Sequence, residues 1–208
     1  MYKTIIFDVD GTLIDTSKAV LYSLQQAILE VEHKNIPLNK LYFALGIPGK
    51  NSIKSLNIKH QNACVLRWDE LYQEYFIKTS KMFDGIIDTL EALKAKGINL
   101  GIVTSKEISE KNRDFKILNL SEDYFNSIIC LEETVNHKPH PEPLLHYLEK
   151  TSTNPWEAIY IGDTIHDMKC AHAANVDFAL ALWGAQDTTG IVAQYSLSHP
   201  KELLKLAF

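Results

Sequence analysis

The sequence predicts an α/β fold: a doubly wound parallel sheet, interrupted after its first strand by an all-helical segment. Three observations predict it. Apolar runs end abruptly in polar residues at Thr4–Asp8, Asn99–Thr104 and Ala158–Gly162. From Gly85 onward, strand-like and helical patterns alternate, which argues for a parallel sheet covered on both faces. Between about Ser17 and Lys81 the pattern is helical throughout, so that stretch is an insertion between strands.

Residues 3–8 read as the first strand. Ser17–His33 carries Val20, Leu21, Leu24, Ala27, Ile28 and Val31 at helical spacing. Gly46-Ile47-Pro48-Gly49 then breaks the chain. Asn62–Lys81 resumes the helical stripe with Val65, Leu66, Trp68, Leu71, Tyr72, Tyr75 and Phe76, an aromatic row that reads as packing core. Thr89–Lys96 is helical, with Gly97 in the position that ends helices. Strands follow at Asn99–Thr104, Ser127–Leu131, Ala158–Gly162 and Asp177–Leu182. Helices lie between them at Ile108–Leu118, Pro141–Lys150 and Thr164–Ala174, with a short one at Lys201–Leu206. Residues 1–15 and 82–208 are therefore assigned to the α/β core and 16–81 to the helical insertion.

The chemistry concentrates where strands end. Thr4–Phe7 delivers Asp8 to a strand tip, with Asp10 two residues on, followed by Gly11 and Thr12. Two crowded, poorly solvated carboxylates are costly unless a cation or a reaction needs them. Ile102-Val103 closes on Thr104, Ser105 and Lys106. Lys138 stands in a loop, in Lys-Pro-His-Pro-Glu-Pro. Ala158–Ile161 closes on Gly162 and Asp163, with Asp167 one helical turn further. In an open parallel sheet, ligands bind outside the carboxyl ends of the strands, so these groups converge. Gly11 and Gly162 permit close backbone approach.

These four stretches resemble, in order, the motifs of the haloacid dehalogenase superfamily: D-x-D-G-T, a strand ending in Thr or Ser, a Lys, and G-D-x-x-x-D. The resemblance covers nearly the whole chain. Thr-Ser-Lys at 104–106 and the proline-rich run around Lys138 look most like the phosphoglycolate phosphatase group. The resemblance implies a phosphatase that acts through an aspartyl-phosphate, with Asp8 as nucleophile and Asp10 as general acid and base. Family dehalogenases lack an acid at the second position, and halide needs no proton to leave, so Asp10 argues against dehalogenation. Thr104, Ser105 and Lys138 would bind the phosphoryl group. Asp8, Asp163 and the backbone carbonyl of Asp10 would hold Mg²⁺, a hard cation that needs few carboxylates and keeps its waters. Asp167 would orient a metal-bound water or cap its helix. Gly11 and Thr12 support the turn.

The helical insertion corresponds to the family's cap. It would exclude water and reach the organic part of the substrate, with specificity in the loop Ala44–Lys50. Lys50, Lys54 and Lys59 read as a solvated face or as contacts to a second anionic group. His137, His140 and His166 lack metal-ligand spacing. The resemblance leaves two alternatives open: a sugar-phosphate mutase of the same family, which shares the first motif and the cap and differs in the acceptor, and an inorganic pyrophosphatase of this architecture. A phospho-accepting signalling module shares the acid cluster, but not D-G-T, the insertion or G-D-x-x-x-D.

Bulk properties agree with an enzyme of small molecules. The 208 residues are 46% hydrophobic and 23% charged, with a formal net charge of −5, which argues against nucleic-acid or anionic-membrane partners. The N-terminal apolar run meets Asp8 too early for a signal peptide, and no apolar stretch is long enough to span a membrane. Three cysteines without metal-ligand spacing read as reduced thiols. The expectation is a cytoplasmic monomer or weak homodimer.

Overall fold

The structure, a computed structural model, describes residues 2–207. The chain opens with β1 (Thr4–Phe7), every residue of which is buried. A two-residue strand β2 (Ile14–Asp15) leads into α1 (Ser17–Glu32). Short 3₁₀ turns precede α2 (Gly49–Ser55), and α3 (Gln61–Thr79) follows. The chain re-enters through β3 (Lys81–Met82), which pairs antiparallel with β2 (Ile14 opposite Met82). The helical segment thus leaves and returns through a two-strand ribbon. Strands this short carry no periodic signal, and the sequence pattern did not predict them. Within the segment, α1 packs along α3 through Leu24, Ala27, Ile28, Leu71, Tyr72 and Phe76, all buried.

The rest of the chain alternates: α4 (Ile86–Ala95), β4 (Asn99–Val103), α5 (Ile108–Leu118), β5 (Ser127–Ile129), α6 (Glu142–Thr151), β6 (Ala158–Gly162), α7 (Ile165–Ala173), β7 (Asp177–Ala181) and β8 (Tyr195–Leu197). The sheet order is β5-β4-β1-β6-β7-β8, with every pairing parallel. The helix expected at 89–96 begins three residues earlier, and the terminal helix is a 3₁₀ turn at Pro200–Lys205. The edge strand β8 was not predicted; two of its three residues are exposed, so it has no apolar run.

Alternation of side chains along the strands builds the two faces. Ile5, Phe7, Leu100, Ile102, Ile159 and Ile161 pack on one side with Leu90 and Leu93 of α4 and Phe115 of α5. Ile6, Val103, Tyr160, Phe178 and Leu180 pack on the other with Leu144 and Leu148 of α6 and Ala171 of α7. This is the doubly wound architecture that apolar runs without polar alternation require. Cys64, Cys130 and Cys170 are free and buried. Among the described residues, no helix is long and apolar enough to cross a membrane.

The topology sets the site. From β1 the chain proceeds to β4 and β5 on one side, then returns to β6, β7 and β8 on the other. The carboxyl end of β1 is therefore the switch point of the sheet, where a crevice opens. Phe7 lies in register with Ile102 of β4 and Ile161 of β6. Asp8, Thr104 and Asp163, each just beyond its strand, consequently reach similar heights.

Candidate active site

Asp8 follows β1 directly, anchored by its backbone N–H, which donates to Ile161 O at 2.9 Å. Its side chain is almost fully buried. Asp163 follows β6, and Asp167 lies in the first turn of α7. One carboxylate oxygen of each of these three acids lies within 4.8 Å of the others. Lys138 Nζ sits between two of them, 2.9 Å from Asp8 Oδ1 and 2.7 Å from Asp167 Oδ1.

Three buried carboxylates face one ammonium, and the electrostatics follow. Burial, opposed by Lys138 and reinforced by the Asp167 and Asp10 charges, pushes the Asp8 carboxyl up to about 7. Burial and the charges of Asp167 and Asp8 raise Asp163 well above the carboxylate range. Burial favours the neutral form of Lys138, but Asp167 and Asp8 outweigh it and hold the ammonium's pKa above its ordinary value. Among the described residues, Asp163 receives only the Thr12 hydroxyl, at 3.4 Å. This donor set is all oxygen, buried and short of positive charge, so it fits a hard divalent cation.

Asp167 carries several contacts at once. Its Oδ2 accepts from the Thr164 backbone N–H at 3.0 Å and hydroxyl at 2.5 Å, forming the capping box of α7. Its Oδ1 takes the Lys138 ammonium. The helix-capping role weighed from the sequence is present, and the residue also belongs to the acid cluster.

Asp10 is placed differently. It is not one of the three clustered acids, and its Oδ1 lies 3.0 Å from Lys106 Nζ. It lines a cavity of about 590 Å³ together with Asp8, Gly11, Asp163, Ser105 and Lys106. The far wall comes from the helical segment: Ala44–Lys50, Trp68 and Tyr72. Trp68 and Tyr72 are thus both packing core and cavity wall. Lys50 lines the cavity, whereas Lys54 and Lys59 are exposed elsewhere.

Thr104 is buried, and its hydroxyl accepts from the Lys106 N–H at 3.2 Å. Ser105 reaches the helical segment, its hydroxyl donating to Gly46 O at 3.3 Å. Among the described residues, no histidine belongs to a group with metal-ligand spacing.

A model of the haloacid dehalogenase-like hydrolases matches residues 5–181. The chain belongs to this family. The hydrolase is 35% identical over 207 residues to the phosphoglycolate phosphatase of Aquifex aeolicus, covering 98% of this chain and 96% of that one. It is 28% identical over 181 residues to the pyrophosphatase PpaX of Bacillus pumilus, covering 87% and 83%. A haloacid dehalogenase-like protein of Streptococcus pneumoniae superposes with a TM-score of 0.84 at 26% identity, covering 99% and 98%.

Several site residues of this hydrolase are ones to which the sequence reading assigned no role. Tyr160 lies inside the apolar run of β6, yet its hydroxyl donates to Val103 O at 2.7 Å and accepts from Lys138 at 3.1 Å. Asp114, in a polar stretch of α5, is fully buried against Lys106 at 2.7 Å and Arg113 at 2.9 Å. The loop after β7 holds the turn that follows Asp10. Trp183 Nε1 donates to Thr12 O at 2.9 Å, and Gly184 presses on Gly11, where a Cβ would lie 1.7 Å from the carbonyl oxygen. Gly11 has φ of 77°, and a Cβ there would meet Asp163 Oδ2 at 2.1 Å. Neither position accepts a side chain without backbone movement. Gly184→Ala is expected to destabilise the fold by about 1–3 kcal/mol, the usual cost of overpacking, and to lower turnover. Denaturant midpoints of the two proteins check this; an unchanged midpoint would show that the loop yields freely.

Proposed function

We propose that this hydrolase is a Mg²⁺-dependent phosphatase of a small phosphorylated metabolite, with 2-phosphoglycolate the leading substrate. One observation carries the reading: a buried carboxylate, Asp8, sits against Lys138 and lines a cavity, with a second acid two residues on. The similarity to the Aquifex aeolicus phosphoglycolate phosphatase, over nearly the full length of both chains, supports the substrate.

In this reading Asp8 attacks phosphorus, and the bond from phosphorus to the ester oxygen breaks. Asp10, in its acid form, gives its proton to the departing alkoxide. The phosphoryl group is then an acyl phosphate on Asp8. Asp10, now a base, takes a proton from water as that water attacks phosphorus. Inorganic phosphate leaves and Asp8 is restored. Lys138 holds Asp8 in position and offsets repulsion between the anionic nucleophile and the anionic substrate. Thr104 orders the backbone at the tip of β4 through the Lys106 N–H, and Ser105 supplies a hydroxyl at the cavity wall. A Mg²⁺ ion held by Asp8, Asp163 and the backbone carbonyl of Asp10 would neutralise charge on a phosphoryl oxygen. The helical wall excludes bulk water from the acyl phosphate.

The PpaX relatives favour a second substrate, inorganic pyrophosphate, for the same machinery. A mutase would differ only in passing the phosphoryl group to a sugar hydroxyl. Phosphate release with Mg²⁺ from 2-phosphoglycolate, pyrophosphate and hexose phosphates separates these readings. The expected result is release concentrated on 2-phosphoglycolate. Release concentrated on pyrophosphate would reassign the substrate. Isomerised hexose phosphate without release would make the protein a mutase, and no reaction with any of them would sink the phosphatase.

A further inference from the structure

Lys106 sits where the helical segment meets the sheet. It is almost fully buried, which is unusual for a lysine and requires partners. Its ammonium lies 3.0 Å from Asp10 Oδ1, 2.7 Å from Asp114 Oδ2 and 3.1 Å from the Tyr72 hydroxyl. Asp10 and Asp114 belong to the core, whereas Tyr72 is on α3 of the helical segment. The Tyr72 hydroxyl also stands 3.3 Å from Asp114 Oδ2. The rings of Tyr72 and Phe76 cover the ammonium at 5.3 and 6.0 Å from their centroids. Arg113 completes the group, 2.9 Å from Asp114 and 5.4 Å from the Tyr72 ring.

We propose that Lys106 is the positioning residue for Asp10, and that Tyr72 completes its geometry only when the helical segment is seated on the sheet. The inference rests on the acid/base role given to Asp10 above. An aspartate side chain in a turn swings freely unless something fixes it, and misplacement by about 1 Å can cost roughly 100-fold in rate. The Lys106 charge holds one oxygen of Asp10 as an ion pair, and Asp10 lines the cavity where proton transfer would take place. Asp114 supplies a counter-charge that holds the ammonium from below. Tyr72 and Phe76 exclude water from this arrangement, so the helices both close the cavity and set the acid. Proton donation is thereby tied to a closed site.

Leaving-group dependence tests this, read as kcat/KM, which reports the steps up to departure of the alcohol. A 4-nitrophenolate leaves with little need of a proton, whereas the alkoxide of 2-phosphoglycolate needs one. Asp10→Asn is the reference: kcat/KM for 2-phosphoglycolate should fall by about 10²–10⁴-fold, and for 4-nitrophenyl phosphate far less. Lys106→Met should reproduce that pattern with a loss of about 10–100-fold on 2-phosphoglycolate. Tyr72→Phe keeps the ring, loses the hydrogen bonds with Lys106 and Asp114, and should show the same selectivity at about fivefold for each bond lost. It carries the test alone if Lys106→Met does not fold. Equal losses on both substrates would assign Lys106 to phosphoryl binding or to the fold, and no loss would remove it from the reaction; either overturns the inference. If Asp10→Asn itself lacks the selectivity, the acid/base reading fails instead.

Discussion

Asp8→Asn is expected to lower phosphate release by about four orders of magnitude or more, as removal of a nucleophile does, while making the metal-free protein more stable. Both outcomes come from one arrangement. Asp8 is held against Lys138 within a cluster of three buried carboxylates. Its charge is the chemistry, and its charge is also what the folded state tolerates poorly. Burial and the neighbouring acids push its carboxyl up to about 7. An amide of the same shape carries no charge and leaves Lys138 its partner Asp167 at 2.7 Å. Turnover within tenfold of the unchanged enzyme would remove Asp8 from the nucleophile's place. A lowered melting temperature without divalent cation would show that Lys138 depends on the Asp8 charge more than the acids repel one another.

Chelation of divalent cations is expected to abolish turnover and to expose an inverted pH dependence of stability. The folded-state pKa of Asp8, about 7, lies above its ordinary value of 3.8. Between those values the folded state holds a proton that the unfolded chain has released. Each rise in pH across that window therefore costs the folded state, and above about 7 the penalty is complete. Asp163 is shifted in the same direction and adds to the effect. A cation that binds the ionised cluster reverses the sign, because it stabilises the form that high pH favours. At a hundred times its dissociation constant, such a ligand contributes about 2.7 kcal/mol. Melting curves from pH 5 to 8, with chelator and with Mg²⁺, measure both slopes. The Mg²⁺ shift should be largest at high pH and should vanish in Asp163→Asn. Metal-free stability that rises with pH across the window would contradict the crowding of these acids.

The sequence by itself determined the sheet and the ends of its strands. Thr4–Phe7, Asn99–Val103 and Ala158–Gly162 are apolar runs bounded by polar residues, and buried parallel strands require that pattern. It also placed Asp8 and Thr104 at the last strand positions and Asp163 just beyond its strand; in the structure β1 and β4 end one residue earlier, so all three stand at the strand tips. Helix boundaries were less legible: α4 starts three residues before its periodic stripe does. The ribbon of β2 and β3, two residues each, lies below the length at which periodicity exists.

Only the tertiary structure decided what each charged group touches. Lys106 follows Thr104 and Ser105 in the chain and reads there as the end of a motif. Its burial depends on Tyr72, thirty-four residues earlier, and on Asp114, eight later. Tyr160 reads as one more apolar residue of a strand until Lys138 reaches its hydroxyl. Gly184 matters because Gly11 lies against it across the sheet's switch point. Periodicity reports which face of an element is buried, and burial of apolar groups is non-directional, so a pattern along the chain is enough to foresee it. Ion pairs and hydrogen bonds are directional and act within a few ångströms. Their partners are chosen by the packing of distant segments, which no local pattern contains.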